Sequence, residues 1–352
     1  MPRYSGAVTI IGTALLLIAA LSGCGDRKDS SLFSAVGSYG DIAVLASRPG
    51  LYEAAGPFFD RFNPEVTFVL KREDTYDIQH FEQKNWKDAR NYRNLIYLVR
   101  SGDGGPVEKE AKRLLGDEAF DRLSKGLGGV VTLTDPYFRN QQAIIAVSSN
   151  RQVLLRTLNQ QAEALADTLR DGIHRRLRRD HLREGVHTAS IAHLWSRHGF
   201  WLEIPQSFKE NQTEPEGFPG IEWIRTNGAT RGLTLSWSEV DDAERTLRDH
   251  NALAAMRDAM GQALHREELI PESFEWGEEM LGGLPALRLT GAWKSHEVSV
   301  GGAFWCYFVS DPGHRRIMCI DLLVYGPDRE KMDDFRRLRA IAETFSLHQP
   351  RG

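Results

Sequence analysis

Residues 298–324 have the sequence VSVGGAFWCYFVSDPGHRRIMCIDLLV, in which two apolar runs are separated by Asp-Pro-Gly-His. The runs 298–309 and 315–324 are rich in β-branched and aromatic side chains, a composition typical of strands. The proline and the glycine between them favour a tight turn. The segment therefore predicts an antiparallel hairpin, and its aromatic-rich residues 301–308 are typical of a strand buried on both faces.

The predicted hairpin carries two of the three cysteines of the chain. If Ser310 pairs with Arg315, then Cys306 lies directly opposite Cys319. Opposed residues of an antiparallel pair have Cβ atoms roughly 4.5 to 5.5 Å apart, so a disulfide can form between them. The alternative is a pair of buried free thiols that act as small hydrophobic side chains. The sequence leaves both open.

Two helices are indicated by apolar residues that recur at helical spacing. The longer is predicted over residues 151–183, and a final helix is predicted after Pro327. The apolar stripe of the long helix comprises Leu154, Leu158, Leu165, Leu169, Ile173 and Leu177. That of the final helix comprises Met332, Phe335, Leu338, Ile341 and Phe345.

Strand-like runs and helices occur in both halves of the chain, which predicts an α+β fold. We expect two domains, each a mainly antiparallel sheet with helices packed on one side, joined by the long amphipathic helix. The N-terminal domain would cover residues 41–183 and end in that helix. The C-terminal domain would cover residues 184–348.

The first residues of the chain have the pattern of a bacterial lipoprotein signal. Arg3 precedes an apolar run at residues 7–21, which is too short to span a bilayer, and Leu-Ser-Gly-Cys ends at Cys24. An uncleaved anchor helix fits less well, because small residues precede the cysteine and charged residues follow it. We therefore expect residues 1–23 to be removed, Cys24 to carry lipid such as palmitate, and residues 24–40 to form a flexible tether.

This signal predicts a membrane-anchored lipoprotein of the bacterial cell envelope, at the outer membrane and facing the periplasm. Gly25 stands where some bacteria place the aspartate that marks inner-membrane retention. The formal net charge of −4 supplies no general attraction for nucleic acid, so that class of partner is excluded. The expected partners are the membrane, through the N-terminal lipid, and an envelope protein or polymer.

Basic residues are concentrated at the end of the long helix, among them Arg175, Arg176, Arg178 and Arg179. Cations at a helix C-terminus are favoured by the macrodipole, so a solvated last turn is one interpretation. The other is contact with an anionic surface, which a lipid anchor would bring within reach.

The sequence offers no catalytic residue, metal ligand or cofactor motif. Its histidine-rich segment lacks the spacing of a zinc site, its glycine-rich segments do not match phosphate-binding loops, and no Gly-x-Ser-x-Gly occurs. We therefore expect no metal and no cofactor, and enzymatic activity is left open. The histidines concerned are His174, His181, His187, His193 and His198.

Several short motifs in order resemble an uncharacterised family of envelope lipoproteins, domain of unknown function 4837. Ala303 and Gly326 depart from the residues that the family commonly has, proline and alanine. The resemblance covers nearly all of the mature chain and implies lipidation and an envelope location, without an activity or catalytic residue. The motifs are Arg93-Asn94-Leu95-Ile96, Gln141-Gln142, Ile204-Pro205, Glu222-Trp223-Ile224-Arg225, Arg257-Asp258, Gly291-Ala292-Trp293, Gly301-Gly302-Ala303-Phe304, Val324-Tyr325-Gly326-Pro327, Lys331 and Ala340-Ile341.

Together these observations predict a lipid-anchored envelope protein that serves as a binding or structural module at a membrane surface. One alternative is an envelope hydrolase whose site is assembled only in the fold. The other is an accessory subunit of an envelope complex. A pocket with converging titratable groups would favour the hydrolase, and a broad exposed apolar patch would favour the subunit.

Overall fold

A computed structural model describes residues 33–349 except 69, 70, 127, 212–218, 296–299, 327 and 328. The lipoprotein signal, Cys24 and the first part of the expected tether lie outside these residues. The described chain forms two main sheets and a two-stranded ribbon. None of its helices combines the length and the apolar composition that crossing a membrane requires.

The strands are β1 (Asp41–Ala46), β2 (Glu65–Phe68), β3 (Lys71–Asp74), β4 (Asp77–Phe81), β5 (Asn94–Arg100), β6 (Gly129–Thr134), β7 (Gln142–Ser148), β8 (Lys209–Asn211), β9 (Gly220–Arg225), β10 (Thr230–Glu239), β11 (Glu267–Leu281), β12 (Leu284–Ser295), β13 (Gly301–Asp311) and β14 (Arg316–Tyr325). The helices are α1 (Leu51–Ala54), α2 (Gly56–Phe62), α3 (Trp86–Ala89), α4 (Pro106–Leu115), α5 (Asp117–Lys125), α6 (Arg151–Arg183), α7 (Thr188–His198), α8 (Ala243–Thr246), α9 (His250–His265) and α10 (Met332–Ala342).

The first sheet has the strand order β4-β1-β5-β7-β6, and all its neighbouring strands are parallel except β6 and β7. The expectation of a mainly antiparallel sheet in this half is therefore wrong. Strands β1, β5 and β7 are buried along almost their whole length. Such continuous apolar strands are typical of parallel sheets covered on both faces.

Helices cover both faces of this first sheet, so the prediction of helices on one side is also wrong. One face packs on α1, α2 and α6, with Phe58 and Leu158 among the buried side chains. The other face packs on α3, α4 and α5 through residues such as Val107 and Phe120. Parallel strands require crossover connections, and these connections place helices on both sides.

The second sheet has seven strands in the order β11-β12-β13-β14-β10-β9-β8, and every neighbouring pair is antiparallel. The α+β class and the antiparallel character of this half are therefore confirmed. Helices again cover both faces, α7 and α10 on one and α8 and α9 on the other. The burial of residues 302–308 on both faces is also as expected.

The predicted hairpin is present as β13 and β14, but its register differs from the prediction. The last pair of the ladder is Asp311 with Arg316, whereas Ser310 with Arg315 was predicted. Arg315 lies in the turn instead, in the left-handed conformation with φ of 50°. Cys306 therefore lies opposite Asp321 rather than Cys319. Because a shift of two residues leaves a side chain on the same face, the Sγ atoms of the two free cysteines are still 3.1 Å apart. A disulfide between them stays a prediction.

The long helix is confirmed from Arg151 to Arg183, and the side chain of Asn150 caps it by accepting from the backbone N–H groups of Gln152 and Val153. All members of its predicted apolar stripe are buried. The apolar stripe predicted for the final helix is buried as well. Helix α10 contacts both α6 and the second sheet, and thus links the cores of the two halves.

Candidate functional site

A cleft of about 370 Å³ lies between α6 and the second sheet, with α10 as part of its wall. Its volume is at the lower end of the range found for small-molecule sites, about 300 to 1,000 Å³. Helix α2, the β2–β3 ribbon and strands β11, β12 and β13 complete it. The lining residues are Phe62, Pro64, Glu65, Val66, Thr75, Tyr76, Ala166, Arg170, Ile173, His174, Glu275, Glu279, Arg288, Thr290, Trp305, Met332, Arg336 and Arg339.

Strand register brings the sheet residues of the cleft to one face. Thr290 of β12 pairs with Glu275 on one side and with Trp305 on the other. Arg288, two residues before Thr290, projects from the same face because side chains alternate along a strand. The chain therefore needs three neighbouring strands to assemble this wall.

Behind the wall of the cleft lies a stack of three rings from three distant segments, of which Trp305 lines the cleft. Trp305 lies 4.7 Å from Phe335 of α10, and Phe335 lies 5.3 Å from Phe68 of the β2–β3 ribbon, between ring centroids. All three side chains are buried. The stack fastens the ribbon of the first half to the core of the second and leaves Trp305 at the cleft.

Glu279 is shared by two of the arginines that line the cleft. Its Oε1 lies 2.5 Å from Nη1 of Arg288, and its Oε2 lies 2.5 Å from Nη1 of Arg339. Arg339 also donates through Nε to Glu343 at 3.2 Å. Glu279 and Glu343 together therefore balance the charges of Arg288 and Arg339 in this part of the cleft.

Arg336 lies deeper, with only 7 % of its surface exposed. Its Nη1 donates to Asp333 at 2.5 Å, and its guanidinium stands 5.2 Å from the ring centroid of Tyr76. Its Nη2 is buried and has no hydrogen-bond partner, and the same is true of Nε of Arg288. Leaving such a donor unsatisfied costs about 1 to 3 kcal/mol, more for a charged group.

His174 reports the positive field on the α6 side of the cleft. Burial first, and then the charges of Arg339, Arg170 and Arg336, lower the pKa of His174 well below its ordinary value. The imidazole is therefore neutral at pH 7. A bound anion would face arginines and not a protonated histidine.

A second histidine of α6, His181, is also buried and leads to a pH prediction. Burial lowers its pKa to about 4, although the charge of Glu184 acts in the opposite direction. In the unfolded chain His181 binds a proton near pH 6.5, whereas in the folded chain it stays neutral at that pH. The free energy of unfolding therefore falls as the pH drops below that value. We expect the loss of unfolding free energy between pH 7.5 and pH 5.0 to be about 2 kcal/mol smaller in His181→Leu than in the native protein.

Urea denaturation at the two pH values measures this difference. His193→Leu is the matched control, because His193 is exposed on α7. The contribution of His265 to the pH dependence of stability has the opposite sign, because contacts with Glu222 outweigh its burial and raise its pKa. This contribution is the same in all three proteins. An equal loss in His181→Leu and the native protein would contradict a neutral buried His181.

The arginines predicted for an anionic surface occupy different environments. Arg176 is only 4 % exposed, so its assignment to such a surface is wrong. Its guanidinium donates to the backbone oxygens of Arg93 and Asn140 and to Oδ1 of Asn94, and thus caps the first sheet. The prediction failed because Arg176 lies on the buried side of α6, where its long side chain reaches carbonyl acceptors at strand ends.

The other three arginines of this group are exposed at the end of α6. Arg178 pairs with Glu203 at 3.0 Å, and Arg179 donates to Oδ1 of Asn140 at 2.8 Å. Contact of Arg175, Arg178 and Arg179 with an anionic surface stays a prediction. The lipidation of Cys24 is likewise a prediction.

The histidine-rich segment is distributed over separate environments. His174 lies at the cleft, His181 is buried against α10, and Nε2 of His187 is 2.8 Å from the backbone oxygen of Phe208. Within the described ranges, no three His, Cys, Asp or Glu side chains converge as metal ligands would.

A buried ionic network lies on the opposite face of the second sheet. Arg257 of α9 donates to Asp321 at 3.1 and 3.0 Å and to Glu267 at 3.3 Å, and all three are at most 2 % exposed. His265 is 2.7 Å from Glu222 at the edge of the network. None of the described pockets is lined by Arg257, Asp321 or Glu267, and the network joins α9 to the sheet.

A wider and more open groove of about 1,110 Å³ runs past α8 and the start of α9. Three of its four acidic side chains already have structural partners. Asp242 and Asp249 cap the two helices by accepting from backbone N–H groups, and Asp241 pairs with Arg315 at 3.0 Å. The groove is therefore a polar surface, and the cleft is the better candidate for a site.

Sequence reasoning did not identify the residues of the cleft. Arg336 and Arg339 each follow an apolar member of the α10 stripe, a position that looks like the solvated edge of a helix. Glu279 and Arg288 alternate with apolar residues as surface charges do in any half-exposed strand. Ile173, Trp305 and Met332 carried a signal of burial, and His174 was considered only as part of the histidine-rich segment.

Residues 188–344 match the profile of the family described as Domain of unknown function (DUF4837), which confirms the family resemblance over this part of the chain. No curated protein matches the chain.

Similar solved structures each cover less than half of this chain. The cyanobacterial PsbP protein (CyanoP) from Synechocystis sp. PCC 6803 is 13 % identical, with 43 % of this chain and 87 % of its own covered and a TM-score of 0.30. LpqN, involved in cell envelope biogenesis of Mycobacterium tuberculosis, is 17 % identical, with 42 % and 82 % covered and a TM-score of 0.27. A mutant of the protein Mog1 is 12 % identical, with 42 % and 90 % covered and a TM-score of 0.27.

Proposed function

We propose that this chain, whose residues 188–344 carry a DUF4837 domain, is a lipid-anchored envelope protein that binds a small ligand in the cleft between α6 and the second sheet. The observation that carries the proposal is the convergence of four arginines on one cleft that also has an apolar wall. Concave sites with a few converging polar groups are the usual form of a small-molecule site.

A binding role is favoured over hydrolysis by the chemistry of the lining residues. The cleft has no serine or cysteine among its lining residues, and its histidine is held neutral beside three arginines. A serine or cysteine nucleophile activated by a histidine is therefore not part of this lining.

A role as an accessory subunit receives less support from the surface. Among the described residues, the exposed large apolar side chains are Phe33, Val36, Leu182 and Met280. They belong to three separate segments of the chain and do not suggest one broad apolar face.

The anchor is tested through Cys24. We expect mass spectrometry of the mature protein to find an acylated cysteine at its amino terminus. In Cys24→Ser the precursor should keep residues 1–23, because the thiol that accepts the lipid is missing. A mature terminus at any other residue would contradict lipidation.

The cleft is tested by the methyl resonance of Met332, which lines it and is 7 % exposed. The acylated protein, in nanodiscs and labelled with [13C]methyl-methionine, is titrated with four probes that share one ring: benzyl alcohol, benzylamine, benzoate and phenyl phosphate. We expect at least one probe to shift the Met332 resonance, which Met332→Leu assigns. If none of the four does so, the proposed binding function is wrong.

A further inference from the structure

Building on the proposed function, we infer that the ligand of the cleft is a small amphipathic oxyanion, with a carboxylate or phosphate head and an apolar body. The head would lie near Arg336 and Arg288, and the body would lie against Trp305 and the apolar side chains of α2 and α6. Each half of this assignment depends on a separate feature of the cleft.

The charge of the ligand is set by the buried guanidinium groups. Arg288 and Arg339 share Glu279, and Arg336 is paired with Asp333 alone among the described contacts. The remaining carboxylates, Glu65 and Glu275, are exposed. Glu343 also pairs with Arg339, so these three arginines are balanced by three carboxylates. What remains inside the cleft without a partner is guanidinium N–H, whereas Glu65 and Glu275 face solvent.

The oxyanion head is indicated by donors that lack acceptors. Nη2 of Arg336 and Nε of Arg288 are shielded from solvent and unpartnered within the protein. A carboxylate or phosphate oxygen that enters the cleft supplies such an acceptor after a small side-chain adjustment. Hydrogen bonds between ionised groups are about twice as strong as neutral ones, and guanidinium geometry suits both kinds of oxyanion.

The body of the ligand is indicated by the opposite wall. Phe62 and Val66 form one part of this apolar wall, and Ala166 and Ile173 of α6 form the other part. Trp305 continues this apolar surface towards the charged residues. A ligand with an ionic head alone would leave these side chains uncovered, whereas an amphipathic one covers both walls.

The four probes described above also test this inference, at constant ionic strength. Because they share a ring and differ in the head, their dissociation constants isolate the effect of charge. We expect benzoate or phenyl phosphate to bind at least tenfold more tightly than benzyl alcohol, and benzylamine to bind most weakly. The comparison of the two anions shows which oxyanion the cleft prefers.

Variants separate the head from the body. Arg336→Met should weaken anion binding about tenfold or more and leave benzyl alcohol unaffected, because a charge-assisted hydrogen bond is lost. Arg336→Lys keeps the positive charge but not the second nitrogen. Its affinity for the anions should therefore lie between those of the native protein and Arg336→Met. Arg337→Met is the matched control: it removes the same charge from the same helix outside the cleft.

Arg288→Met provides an independent measurement should Arg336→Met fail to fold. The inference is overturned if benzyl alcohol or benzylamine binds as tightly as the anions, or if both cleft variants keep the native preference. In either case the proposed function stands, because a ligand still occupies the cleft. An absence of any shift at Met332 overturns both.

Discussion

Arg257→Met is expected to lower the free energy of unfolding by about 3 to 5 kcal/mol, the usual cost of breaking a buried ion pair by removing one partner. The substitution retains an apolar stem but leaves Asp321 and Glu267 without their cation. Burial first, only partly offset by Arg257, already raises the pKa of both carboxyls. Without the arginine, their charges would face each other in a site shielded from water.

Urea denaturation measures this loss, and its pH dependence identifies the cause. Raised carboxyl pKa values mean that the folded variant binds more protons than its unfolded chain, so its deficit should be larger at pH 8 than at pH 5. Arg248→Met is the control, because Arg248 is exposed just before α9, and should cost less than about 0.5 kcal/mol.

A compensated variant completes the argument for the ionic network. Arg257→Met combined with Asp321→Asn and Glu267→Gln removes the uncompensated charges and should recover a large part of the loss. If the triple variant is no more stable than Arg257→Met, the cost comes from packing. Gly261 makes packing a real alternative, since a Cβ there would lie 2.4 Å from Nη1 of Arg257.

The parts of the fold that could be predicted from the sequence are those with a long or unambiguous local pattern. The stripe of α6 repeats from Leu154 to Leu177 within a helix of 33 residues, which indicates both a long helix and its buried face. The hairpin of β13 and β14 combines two apolar runs with a proline-glycine turn. Even there, the register depended on whether Asp311 continued the strand, which local sequence does not determine.

The parallel sheet was missed because its strands carry the same short apolar runs as buried antiparallel strands. Strands β1, β5 and β7 are each six or seven residues long and buried on both faces. The direction of such strands depends on the length and path of the connections between them. The α+β class was therefore within reach, whereas strand order was not.

The cleft could not be predicted from local sequence patterns at all. It joins α6, three strands of the second sheet and α10, which are far apart in the chain. Its arginines become a site only because Arg336 and Arg339 project from α10 towards strands that bring Glu279 and Arg288 to one face. No spacing pattern in the sequence indicates that these four residues lie close together in the fold.

Phe335→Ala is expected to cost about 3 to 5 kcal/mol of unfolding free energy, because the side chain is fully buried in the stack with Trp305 and Phe68. The cavity would open beside Met332, which belongs to the same core. We therefore expect the Met332 methyl resonance to broaden or shift without ligand. Phe33→Ala, at a side chain that is 81 % exposed, should cost less than about 0.5 kcal/mol.

The coupling between Phe335 and Phe68 tests whether the ribbon of the first half is held by the second. Rings in contact should give a double-mutant interaction energy of about 0.5 to 3 kcal/mol, so Phe68→Ala should cost less in the Phe335→Ala background than in the native protein. Phe120 packs in a separate core on the far face of the first sheet, and Phe120→Ala should be additive with Phe335→Ala. Additivity of Phe68→Ala with Phe335→Ala would mean that the ribbon does not pack on α10, and the aromatic stack behind Trp305 would then be absent in solution.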